Sequence, residues 1–143
     1  MGDSYNLQRF IDAQSGTFER ALAELKAGSK QSHWMWFIFP QLRGLGMSPT
    51  AQFFGITSLE EARLYVEHAL LGSRLSQCIQ AVLAWSGKRS AEQILGPVDA
   101  LKLRSSMTLF DVIQPRGQFA QTLDRFYAGE RDQRTLALLN DER

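Results

Sequence analysis

The residues with chemical potential are concentrated in two stretches. The first is KQSHWMWFIFPQLRGLGMS, from Lys30 to Ser48. It sets Lys30, Ser32 and His33 directly before the consecutive apolar residues Trp34 to Phe39. A lysine, a hydroxyl and an imidazole at a helix start suit an anion, because unpaired amides and the helix dipole favour negative charge there. The plainer alternative makes Ser32 a cap, Lys30 a solvated loop charge and His33 a core histidine. Trp34 and Trp36 point to different sides of a helix, so they do not serve one ligand together. Core packing accounts for them, and the alternative is one tryptophan lining a pocket and stacking on a base or sugar. Gln41 follows Pro40 and is grouped with these ligand-binding candidates. Gly44 and Gly46 then stand before a helix start. Glycines let backbone approach a ligand closely, and the helix start supplies donors for a phosphate. The pattern is not a P-loop, since no Gly-Lys-Ser/Thr follows, and not a dinucleotide fingerprint, since a third glycine and a preceding strand are missing. A plain connecting loop is the alternative.

The second stretch is Lys102-Leu103-Arg104-Ser105-Ser106-Met107-Thr108. Ser105, Ser106 and Thr108 are poor helix formers inside an apolar helix, so they need a reason. Lys102, Ser105 and Ser106 share one helical face, and Asp99 lies three residues earlier on the same side. These groups can form a polar pocket or orient a nucleophile. Equally, the hydroxyls can satisfy buried backbone groups at the ends of short helices. Candidate catalytic groups are His33, Asp99 and Lys102.

These residues must be positioned by helices. Asp3 or Ser4 caps a first helix bearing Leu7, Phe10 and Ile11, and Thr17 caps a second ending before Gly28. The apolar run reads as a buried helix, Ser32 to Phe39 with Ser32 as its cap, because no convincing strand exists to pair with it. Ser48-Pro49 starts a short helix. Ser58 with Glu61, and Ser90 with Gln93, form capping boxes. Gly72 breaks or bends the chain after His68, itself expected at a helix C-terminus. Asp99 caps the helix of the second stretch, and Asp132 starts the last helix. The expectation is an all-α fold, a single domain over 1–143 of about seven to nine mostly short helices around a buried aromatic helix.

Composition bounds the rest. The chain has 143 residues, 44% apolar and 22% charged, as in a globular domain. A net charge of +1 provides no global field for nucleic acid or an anionic membrane. The lone cysteine, Cys78, excludes an intramolecular disulfide, and His33 and His68 do not stand at metal-ligand spacing. No apolar run reaches the ~20 residues that span a bilayer. No hydrophobic signal region opens the chain, so cytoplasmic residence is expected. No cofactor, nucleic-acid partner or membrane partner is expected, and the sequence leaves the oligomeric state open.

The two stretches, with AQFFGI and SLEEARLYVEHALLGSRL between them, resemble in order and spacing the domain-of-unknown-function family 1810, from about Leu7 to Leu139. The resemblance implies a mainly α-helical domain and no established activity. Members are sometimes labelled calpastatin, but calpastatin-type inhibitors are long, disordered and polar, whereas this chain is densely apolar. Ala69 departs from the proline that similar proteins often carry after the histidine. LYVEHALLGSRL is also similar to a segment of NADAR domains, which act on N-glycosides of ADP-ribose or related ribosides. Two functions therefore stand. One is binding or hydrolysis of a small anionic ligand, nucleotide or ADP-ribosyl-like, with both stretches around one pocket. The other is a non-catalytic protein-interaction module with an exposed aromatic patch, marked by Phe53, Phe54 or Phe119.

Overall fold

Local capping chemistry sets where many of the helices begin. The computed structural model describes residues 3–141. They form ten helices, one more than the upper expectation: α1 Gln8–Gln14, α2 Phe18–Lys26, α3 Met35–Ile38, α4 Pro49–Phe54, α5 Leu59–Glu67, α6 Ala69–Leu83, α7 Ala91–Leu95, α8 Pro97–Ile113, α9 Gln118–Tyr127 and α10 Gln133–Asp141. The Asp3 carboxylate accepts from the Leu7 and Gln8 amides at the head of α1. Ser48 accepts from the Ala51 amide with Pro49 following, and Ser90 and Gln93 close a reciprocal capping box. Asp132 accepts from the Thr135 amide at 2.9 Å.

Several expectations are corrected. Thr17 stands at the head of α2 without a side-chain cap bond. Ser58 caps α5, but Glu61 does not reach back to close the box. Its carboxylate instead takes both the amide and the hydroxyl of Thr57 and pairs with Arg9. Asp99 does not cap α8, because the helix already starts at Pro97 after Gly96. His68 is structural, at the junction between α5 and α6, but as an acceptor: its Nδ1 takes the Leu70 and Leu71 amides. Gly72 does not break the chain. It sits inside α6, where an added Cβ would lie 2.1 Å from the Val66 carbonyl oxygen. Glycine there lets α6 cross the end of α5 at backbone contact.

The aromatic run is mostly buried, as expected, with Trp36 and Phe37 only partly covered, yet its helix is only four residues long. Ser32 does not cap it. The Ser32 hydroxyl and amide both donate to Glu24 on α2. Beyond Pro40 the chain extends, and Leu42 makes an isolated parallel bridge to Ile56. The Gln14 side chain from α1 satisfies the Phe37 carbonyl at 2.8 Å. Trp34, Met35, Ile38 and Phe39 enter the core, where Phe10, Tyr65, Phe110 and Phe119 form a continuous aromatic ladder. Helix α8 packs against α5, α7, α9 and α10. That explains why Ser105 to Phe110 are all buried and why α8 lacks a polar stripe.

A buried ion pair fastens the N-terminal turn to this core. Arg9 Nη2 lies 2.8 Å from Glu61 Oε2, with both side chains almost fully enclosed. Arg9 also donates to the carbonyls of Tyr5, Asn6, Phe53 and Gly55. A buried pair survives only when its remaining donors and acceptors are satisfied, and here five acceptors serve one guanidinium.

Candidate functional site

Glu24 organises the approach to the site. Its carboxylate accepts from the Gln31 and Ser32 amides, the Ser32 hydroxyl and the Trp34 indole N–H, at 2.6 to 3.0 Å. Partial burial raises its pKa, but these donors outweigh that and hold it down at about 2. The loop before α3 is thereby fixed. The Lys30 amide donates to the Ile94 carbonyl on α7 at 2.8 Å, which brings the loop beside the start of α8.

The two sequence stretches meet there. Lys30 Nζ lies 2.9 Å from Asp99 Oδ2, and Lys102 Nζ lies 3.2 Å from Asp99 Oδ1. Each ammonium also sits over an indole: Lys30 at 5.0 Å from the Trp34 ring centre, Lys102 at 4.5 Å from that of Trp36. Burial raises the Asp99 pKa, but the two lysines more than reverse it and keep the carboxyl below its usual range. The cluster therefore sets two ammonium groups against one carboxylate.

Two clefts flank the Trp36–Lys102 pair and share Trp36, Ser48 and Lys102 as lining. The first, about 310 Å³, is lined by Lys30, His33, Trp34 and Asp99 as well. His33 is exposed at its rim, not in the core. The second, about 470 Å³, adds Gln41, Gly46, Arg104 and Ser105. Each falls within the size range of small-molecule pockets. Gly46 is there for space: a Cβ would stand 2.8 Å from Ala51 Cβ and 3.0 Å from the Trp36 ring.

The second cleft has two further properties. Buried Gln41 Nε2 and Arg104 Nε have no hydrogen-bond partner among the described residues. The Gln41 backbone is fixed, since its carbonyl accepts from Ile56 N at 2.8 Å. At the mouth, Met47, Val98 and Leu101 are 80%, 65% and 57% exposed, unusual for large apolar side chains.

The remaining candidates are committed within the fold or lie elsewhere. Ser32 is committed to Glu24, and Gly44 faces Leu138. Ser105 and Thr108 donate to the Leu101 and Arg104 carbonyls one turn back, and Thr108 also accepts from the Asp132 amide. Ser106 is fully buried, and its hydroxyl has no partner among the described residues. The sequence reading missed Glu24 and Arg104. Arg104 lies inside the second stretch but off the face shared by Lys102, Ser105 and Ser106. Phe119 is buried, Phe54 half-buried, and Phe53 is 54% exposed.

Other clefts are less equipped. The one beside α1 and α5 contains Asp3 and His68, which cap helices, and Glu60 and Glu67, which pair with Arg63. The groove between α2 and α6, beside Trp85, is mainly apolar, and among the described residues none of its lining carries an unpartnered buried polar atom. Among the described residues, no group of three or more His, Cys, Asp or Glu is placed to hold a metal, and no helix is long and apolar enough to cross a membrane.

Comparison with known proteins adds kinship without an activity. The family model described as "Protein of unknown function (DUF1810)" matches residues 4–139. The crystal structure of the conserved hypothetical protein Rv1873 from Mycobacterium tuberculosis is similar, at 50% identity and a TM-score of 0.92, over 96% of this chain and 99% of that one. No curated protein matches.

Proposed function

We propose, for a chain that belongs to the DUF1810 family of proteins of unknown function, that it binds a small anionic ligand of the nucleotide or ADP-ribosyl kind across the two clefts. One observation carries this reading: Lys30 and Lys102, from separate stretches, converge on Asp99 with an indole beneath each ammonium. Such a cluster is already neutral enough to be buried in part and still offers a net positive charge to a phosphate or carboxylate. The anionic end takes the Lys30–Lys102 cleft. The ring end takes the cleft beside Trp36, whose mouth is apolar.

Binding is better supported than hydrolysis. A carboxylate held below its usual range is a weak general base, so Asp99 suits positioning of the lysines more than proton transfer. His33, at the rim of the first cleft, is the group left for acid–base work.

A thermal-shift panel of nucleoside phosphates, ADP-ribose and phosphosugars tests the proposal. A ligand present at a hundredfold over its dissociation constant stabilises by about 2.7 kcal/mol, worth several degrees in a domain of this size. The expected result is such a shift with at least one phosphate ligand, lost in Lys102→Ala. No shift across the panel, or one untouched by Lys102→Ala and Lys30→Ala, overturns it. The interaction-module alternative has exposed Phe53 and the apolar residues around Met47 in its favour, and a panel without any shift would turn attention to it.

A further inference from the structure

The second cleft contains donors that the fold itself does not use. Gln41 is 4% exposed, and its Nε2 is buried without a partner among the described residues. Arg104 Nε is buried and equally unpartnered. The terminal nitrogens of Arg104 are only loosely engaged, at 3.7 Å from Glu130 and 3.9 Å from Asp132. Leaving a buried donor unsatisfied is costly, and a fold gains nothing from keeping two beside one cleft unless something else pairs with them. Asp132 lines the same cleft. Its Oδ2 is occupied in capping α10, while Oδ1 faces Arg104. Of the other polar groups lining the cleft, Ser48 caps α4, Ser105 donates to the Leu101 carbonyl, Lys102 pairs with Asp99 and Arg134 is exposed. The buried unpartnered groups are thus two donors, set beside the Asp132 carboxylate and behind an apolar mouth of Met47, Val98 and Leu101.

We propose that this cleft recognises the edge of a planar ring that carries an oxo group next to a ring N–H, as in a 6-oxopurine. The oxo oxygen accepts from Gln41 and Arg104, the ring N–H donates to Asp132, and the ring faces lie among the apolar side chains. A 6-aminopurine presents the opposite pattern. It turns an N–H₂ donor toward two donors and leaves them unpaired, and sites built around buried donors reject such analogues strongly. The inference rests on nucleotide-like binding at the neighbouring lysines and adds which base is selected.

The test is calorimetric titration of the full chain with inosine monophosphate and adenosine monophosphate, which differ at this edge. The expected result is at least tenfold tighter binding of inosine monophosphate. Gln41→Glu replaces the donor by an acceptor and should reduce that ratio to near unity, and Gln41→Met, which keeps shape without charge, should do the same. Thermal melting verifies that each variant is folded, and the two together guard against loss of one. Equal affinity for both nucleotides overturns the inference and leaves the phosphate site standing. So does a preference for inosine monophosphate that survives in whichever Gln41 variant folds. Failure of both nucleotides to bind, together with failure of the wider phosphate panel, removes the underlying reading and this inference with it.

Discussion

Glu24 shows how one side chain can set a site it does not enter. Four donors from a short loop converge on it, and one of them is the Trp34 indole. Its folded-state pKa of about 2 lies below the ordinary 4.5. A depressed carboxylate contributes stability that is full above the unfolded pKa and lost as pH falls through the folded one. Glu24→Gln should therefore lower stability at pH 7 by about 1–2 kcal/mol, the modest figure reflecting partial solvation. The gap between native and variant should narrow between pH 4.5 and pH 2. Denaturant titrations across that range measure it, and a gap independent of pH would contradict the assignment. Cys78 stands at the other extreme: burial pushes its thiol up to about 12, so it behaves as a core side chain rather than a nucleophile.

At the scale of elements, the junction between α5 and α6 depends on Gly72. An added methyl would meet the Val66 carbonyl at a distance no atoms tolerate, so one helix must move. Gly72→Ala should cost about 3 kcal/mol in chemical denaturation, despite alanine's higher helix propensity. A neutral or stabilising result would mean that α5 and α6 do not cross at backbone contact. The same element scale shows what the sequence made legible. Asp3, Ser48-Pro49, Ser58, Ser90-Gln93 and Asp132 mark helix starts because capping is local, settled within four or five residues. Ser32 and Asp99 look equally like caps. They are not: Glu24 on α2 takes Ser32, while α8 already starts at Pro97 and Asp99 pairs with distant Lys30 as well as with Lys102 one turn on. The aromatic run read correctly as buried and wrongly in extent. Its periodicity is uninformative when every residue is apolar, and the bridge from Leu42 to Ile56 depends on a segment farther along the chain.

At the scale of the whole molecule, α8 carries the site. It is buried on most sides, so its half-buried first turns present Asp99, Lys102 and Arg104 in a fixed frame, and the loop anchored by Glu24 and Ile94, with α3 after it, brings Lys30 and Trp36 against them. Composition identified the residue types, but only the fold places Lys30 and Asp99 together. The indole N–H signals of Trp34, Trp36 and Trp85 test the central claim directly, because Trp36 lines both proposed clefts and Trp85 lies in the separate groove between α2 and α6. In a proton–nitrogen correlation spectrum titrated with inosine monophosphate and with ADP-ribose, the Trp36 signal, assigned through Trp36→Phe, should move saturably while that of Trp85 stays in place. Movement of Trp85 with Trp36 unmoved, or no movement of any indole with either ligand, would contradict the placement of a nucleotide-binding site between these two stretches.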